Sequence, residues 1–144
     1  MAEIILERPI HTGARPHLVD LRRHVPGFQA YMALYLGFIA LPIVAGADKF
    51  THYLADWTVY LAPVVANNIG VPAEMFMRGV GLIEIAAGLL VALWPRWGSV
   101  VVGAWLLCII GNLLLVPGFY DVALRDFGLF LGAYALRRLS LQYE

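Results

Sequence analysis

Charge is what this chain has least of: Asp, Glu, Lys and Arg make up 14% of its 144 residues, against about 25% in ordinary soluble domains. The hydrophobic share is 61% and the mean hydropathy +0.76. A water-soluble fold of this size cannot bury so much apolar surface, so the excess is expected to face lipid. The few charges cancel, ten basic against ten acidic, which argues against a nucleic-acid partner or a polybasic lipid-binding patch. Cysteine is nearly absent. Cys108 stands alone, which excludes an internal disulfide or a CxxC redox pair, and in apolar surroundings it reads as a packing residue. Histidine occurs only at His11, His17, His24 and His52, outside every apolar run, so a haem held by two histidines across the membrane is not expected. His52 with Asp48 or Asp56 is a conceivable surface metal site, but a solvated loop histidine is the preferred reading and no metal ligand is assigned. There is no Gly-rich phosphate loop or nucleophile elbow, so no catalytic residue is assigned. Residues 1–27 lack the apolar core and small-residue cleavage site of a signal peptide.

What is present is four apolar stretches, residues 28–47, 72–94, 98–116 and 119–136, each 18 to 23 residues long. As helices they measure about 27–34 Å, enough for a hydrocarbon core of about 30 Å. In lipid the backbone must satisfy its own hydrogen bonds, so helix is the expected form. The expected fold is therefore all-α: an integral membrane four-helix bundle over residues 28–138, flanked by cytoplasmic tails at 1–27 and 139–144. Pro72 with Glu74 suits a first turn, Trp94-Pro95-Arg96-Trp97 makes a tight interfacial turn, and Pro42 is expected to kink the first helix. Residues 57–66 are apolar but too short to span. A short interfacial helix, capped by Asp56 and ended by Asn67-Asn68-Ile69-Gly70, is preferred there over a re-entrant segment.

Orientation follows from the basic residues. Arg8, Arg15, Arg22, Arg23, Arg96, Arg137 and Arg138 fall on one side, whereas the opposite connections hold only Lys49, with Arg78 and Arg125 just inside the helices. The positive-inside rule places both termini on the cytoplasmic side.

Ionisable groups in such helices cost about 2.5–3.5 kcal/mol each on insertion scales and need a reason. The candidates are Asp48, Lys49, Arg78, Glu84, Arg125 and Asp126, with the uncharged Asn112. Glu84 is expected near mid-membrane, the others in one outer layer. At 100° per residue Gly81, Ala87 and Gly88 flank Glu84, so it should face a neighbouring helix, not lipid. Arg125 shares a face with the GxxxG pair Gly128 and Gly132. Arg78 pairs most naturally with Glu74, one turn back, and snorkels outward. Asp48, Lys49, Glu84, Asn112, Arg125 and Asp126 thus define a candidate polar pocket, open outward with Glu84 at its floor, for a quinone head group, a small anion or a proton relay. The competing reading is a buried salt-bridge network that fixes helix register.

These residues resemble the DoxX family of small four-helix bacterial membrane proteins. Gly46-Ala-Asp-Lys49-Phe50 is similar to that family's Gly-x-x-Lys at the end of its first helix. Gly81-Leu-Ile-Glu84-Ile-Ala-Ala-Gly88-Leu-Leu is similar to its second, and Arg125-Asp126 before an apolar run to its fourth. The resemblance covers roughly residues 28–138. It implies association with membrane oxidoreductase systems, including a subunit of a thiosulfate:quinone oxidoreductase, and makes Lys49, Glu84, Arg125 and Asp126 the positions to watch. Three functions are open. The first is a quinone- or lipid-holding accessory subunit of a respiratory complex, with other subunits and membrane lipid as partners and no covalently bound cofactor. The others are a proton-coupled small-molecule transporter using Glu84, and a purely structural anchor.

Overall fold

The computed structural model describes residues 25–144. The expected tail of residues 1–27 lies almost wholly outside the described residues, as do His11, His17 and His24. Helix α1 spans Pro26–Thr51. A 3-10 turn, Trp57–Tyr60, and a short helix α2, Pro63–Asn68, connect it to α3, Ala73–Leu93. Helices α4, Pro95–Leu114, and α5, Tyr120–Tyr143, complete the chain. Prolines open α1, α2 and α4 within their first turn, where the missing N–H has no helical partner to lose and φ is already helical.

The helix ends depart from the hydropathy pattern for local reasons. Helix α1 runs four residues past the expected 47, because Asp48 and Lys49 are buried with partners and need not leave the fold. Pro95 starts α4 directly after Trp94, three residues before the expected 98. Helix α5 does not stop at 136 to release a tail. Leu136, Ser140 and Tyr143 recur at helical spacing, Leu136 and Ser140 are buried, and Tyr143 packs edge-on to Phe28 at 5.6 Å, so the helix continues to Tyr143. The segment 57–66 is two pieces, not one helix. Leu61 and Ala62 are extended, as the residue before Pro63 is driven to be.

Three helices, Pro26–Thr51, Ala73–Leu93 and Pro95–Leu114, are long and apolar enough to cross a membrane. Helix α5 is of similar length but carries Asp121, Arg125, Asp126, Arg137 and Arg138. The long helices form a closed ring of contacts: α1 packs on α3 and α5, and α4 packs on α3 and α5.

One end of this ring is solid. Tyr31 stacks on Tyr35 at 5.8 Å and also meets Phe28 and Tyr143, the Tyr35 hydroxyl donates to the Ala92 carbonyl at 2.9 Å, and Phe38, Val91, Val102, Ala133 and Leu136 fill the centre. Gly98 lies so close to α3 that an added Cβ would sit 2.5 Å from the Val91 backbone, which holds the α3–α4 hairpin tight. Below this core the Arg137 guanidinium donates to the Arg96 carbonyl, the Arg96 N–H donates to Glu144, and both arginines lie against Trp97. The other end is open, and the candidate residues collect there.

Candidate functional site

The site begins with two glycines. A Cβ on Gly46 would lie 2.5 Å from the Gly81 carbonyl oxygen, and a Cβ on Gly81 2.5 Å from that of Gly46. Gly88 meets Ile39 and Ile43 in the same way. Pairings of 46 with 81 and of 39 and 43 with 88 mean that α1 and α3 run antiparallel at backbone contact. Lys49 and Glu84 each follow their glycine by three residues and therefore lie on opposite sides of the contact. Their Cα levels differ by about 9 Å along the axis. Side chains on a helix lean toward its N-terminus, so in an antiparallel pair these two lean toward each other. They close the gap: Lys49 Nζ lies 2.6 Å from Glu84 Oε2, with side-chain exposures of 4% and 10%. The ammonium also approaches the Ala45 carbonyl at 3.5 Å and lies 3.7 Å from the centroid of the Trp57 ring. It is held by a carboxylate, a carbonyl and a π-face, the partners a charge needs away from water.

Asp48, the preceding residue, faces another way. Its carboxylate accepts from the backbone N–H groups of Tyr53, Leu54 and Ala55, from Thr51 Oγ1 and from the Trp57 indole at 2.8 Å. The chain wraps around it because His52, at φ +52°, takes the left-handed cap conformation and donates its N–H to the Asp48 carbonyl. A negative charge near a helix C-terminus opposes the helix dipole, and the ring of donors offsets this. Asp56 repeats the device on a smaller scale. It accepts from the N–H and hydroxyl of Thr58, and these bonds hold its carboxyl below the usual range.

Asn112, near the end of α4, grips the same connection. Its Oδ1 accepts from the Ala62 N–H at 2.9 Å and its Nδ2 donates to the Tyr60 carbonyl at 2.6 Å. This bond pair spans the break between the 3-10 turn and α2, where helical bonding leaves backbone groups unpaired.

Beneath the pinned connection is a cavity of about 840 Å³. Trp57, Tyr60, Leu61 and Val65 line it from the connecting segment. The remaining walls come from all four long helices and are mostly apolar, with Phe38, Met77, Val80, Leu106, Ile109 and Leu129 among them. Lys49, Glu84, Asn112, Arg125 and Asp126 all line this cavity; Asp48 does not, being spent on the loop. Arg125 sits largely exposed 3.4 Å from Asp121, one turn back on its own helix, and Asp126 is within electrostatic reach of Arg125 and Glu84. Arg78 pairs with Glu74 at 2.6 Å on the exposed surface and is not part of the lining.

One expectation about α5 needs correction. Gly132 does receive a neighbour, Phe38 of α1 at 3.2 Å from a notional Cβ, but Gly128 has nothing within 4 Å, so the GxxxG pair is not a helix–helix contact among the described residues. Two tryptophans escaped the sequence reading. Trp57 carries the cation–π contact described above. Trp105 lines the cavity with its indole N–H buried and without a partner among the described residues. Both looked like ordinary apolar residues, and only their place in the fold distinguishes them.

Comparison with protein-family models, with curated proteins and with solved structures finds no match for this chain.

Proposed function

We propose that the chain is a DoxX-like integral membrane subunit of a bacterial inner-membrane oxidoreductase complex, and that its cavity holds a quinone or a lipid. In this reading all four long helices cross the bilayer, with both termini cytoplasmic. The solid aromatic end faces the cytoplasm, and the Trp57–Asn68 connection lies on the outer side. The cavity carries the proposal. Small-molecule sites typically enclose about 300–1,000 Å³, with apolar walls and a few placed polar groups, and this one has about 840 Å³ with the Lys49–Glu84 pair on its wall. The chain supplies a binding wall, and redox chemistry falls to a partner subunit.

The test is mild-detergent extraction of the native protein, followed by identification of the quinones, lipids and proteins that remain attached. A retained quinone or lipid that is lost in Val80→Trp, which fills the cavity, is the expected result. Retention of the same ligand by Val80→Trp and by Glu84→Gln would remove the cavity from the function. Proton-dependent uptake by liposomes holding this protein alone would select the transporter instead.

A further inference from the structure

The polar groups on the cavity wall differ in how much bonding capacity remains to them. Lys49 spends its ammonium on Glu84 Oε2, the Ala45 carbonyl and the face of Trp57. The Trp57 indole N–H is committed to Asp48, and Trp105 Nε1 is sealed within the wall. Glu84 is different. Lys49 takes only its Oε2, and Oε1 makes no hydrogen bond among the described residues. Trp105 Nε1 is the one enclosed side-chain nitrogen or oxygen without a partner among those residues, so Oε1, equally unpartnered, keeps surface that a ligand can touch. The Glu84 side chain is nine-tenths buried and lines the cavity, so that surface opens inward.

An ionised carboxylate only accepts hydrogen bonds, and a carboxylate oxygen away from water is costly to leave unpaired. A head group placed here must therefore bring an O–H or N–H. Its charge is constrained by the same contact. Lys49 Nζ lies 2.6 Å from the other oxygen of this carboxylate, so a cationic head group would meet a like charge, and an anionic one would meet Glu84 itself. Asp126, half-buried on the same wall and without a hydrogen bond among the described residues, adds a second acceptor. The Tyr60 hydroxyl, the second Asn112 amide hydrogen and the exposed Arg125 can donate to a hydroxyl as readily as to a carbonyl. These donors therefore do not favour a head group that only accepts.

We propose that the cavity recognises an uncharged long-chain amphiphile by a head-group hydroxyl that donates to Glu84 Oε1, so that a quinol binds more tightly than the corresponding quinone. This rests on the cavity being a binding site, and it narrows that reading to hydroxyl-bearing head groups, the reduced form among quinones. A site built around a hydroxyl rejects the analogue that lacks one, because its own polar group is then left unpaired. Tighter binding of the reduced form also raises the midpoint potential of a bound quinone, by about 30 mV for each tenfold preference in this two-electron couple.

The experiment uses the full chain in mild detergent, under anaerobic equilibrium dialysis, with four probes of equal chain length. These are decylhydroquinone, decylbenzoquinone, the dimethyl ether of decylhydroquinone and decylamine. Decylhydroquinone is expected to bind about ten- to a hundredfold more tightly than the quinone or the ether, the worth of one hydrogen bond to a charged group. Val80→Trp should abolish its binding. In Glu84→Gln the amide can donate as well as accept, so the preference for hydroquinone over quinone should fall toward unity. Should that variant fold poorly, Lys49→Met combined with Glu84→Met removes the carboxylate without stranding a charge, and the preference should vanish there too. Quinone or ether binding as tightly as hydroquinone would overturn the hydroxyl requirement while leaving the cavity a binding site. Decylamine binding more tightly than hydroquinone would overturn the uncharged head group. An unchanged preference in the Glu84 variants would overturn the role of that carboxylate. No binding of any probe, or binding untouched by Val80→Trp, would overturn the cavity reading itself.

Discussion

The Lys49–Glu84 pair places two opposite charges out of water at one contact of 2.6 Å. Removing one member of a buried pair strands the other, at a cost of about 3–5 kcal/mol, whereas replacing both by apolar side chains is often close to neutral. Lys49→Met alone should therefore lower thermal stability in detergent strongly, and Lys49→Met with Glu84→Met should recover most of the loss; simple additivity of the two single losses would show that the side chains do not interact. Asp48 makes a different prediction although it is the adjacent residue. Asp48→Ala removes the acceptor for three backbone N–H groups and the Trp57 indole, for an expected loss of about 2–4 kcal/mol. Protease should cut between residues 52 and 57 sooner than in the unaltered chain, and an unchanged cutting rate would argue against the wrapped carboxylate. That ionisable residues gather at one end of the helices, and that Arg78 meets Glu74, was legible from spacing alone. Which carboxylate takes which partner was not. Asp48 and Lys49 adjoin in sequence, yet one closes a local loop and the other reaches a helix 35 positions away, a choice that depends on how α1 and α3 seat against each other.

At the scale of elements, that seating depends on glycine at particular positions. Gly81→Ala should disrupt the α1–α3 contact, since the new Cβ would meet the Gly46 carbonyl at 2.5 Å and neither backbone can yield cheaply. Gly79, two residues earlier on the same helix, has nothing within 4 Å. Gly79→Ala should be neutral or stabilising by up to about 1 kcal/mol through helix propensity. Thermal melts of the two variants side by side decide the matter; equal behaviour would dismiss the close crossing. Sequence reading anticipated the tight face at Gly81 and Gly88 because small residues flank a charge that needs shelter. It misassigned Gly128, because a GxxxG spacing marks a face that can be approached closely without saying that anything approaches it. The two-piece connection was also hidden: a run of apolar residues at 57–66 looks continuous, and its break depends on Pro63 together with Asn112, 49 positions further along the chain.

For the whole molecule, the solid aromatic end and the cavity end imply opposite surroundings. With Cys108→Ser as background, Leu54→Cys in intact cells should react with a membrane-impermeant maleimide, and Gln142→Cys only after the membrane is opened; the reverse pattern would invert the proposed orientation. Four apolar runs were legible as helices because length and hydropathy are local properties. Among the described residues the helices able to cross by composition alone number three, since α5 carries charges toward both of its ends. Its longest uncharged run, residues 127–136, measures about 15 Å, half of a hydrocarbon core of about 30 Å. In the proposed topology this last helix is a poor substrate for the insertion machinery when it emerges alone. In that topology it would enter the bilayer only with its three predecessors in place to receive it, which would give biogenesis an order. A fragment made without α1 would leave Tyr120–Tyr143 stranded at the membrane surface, open to quality-control proteases.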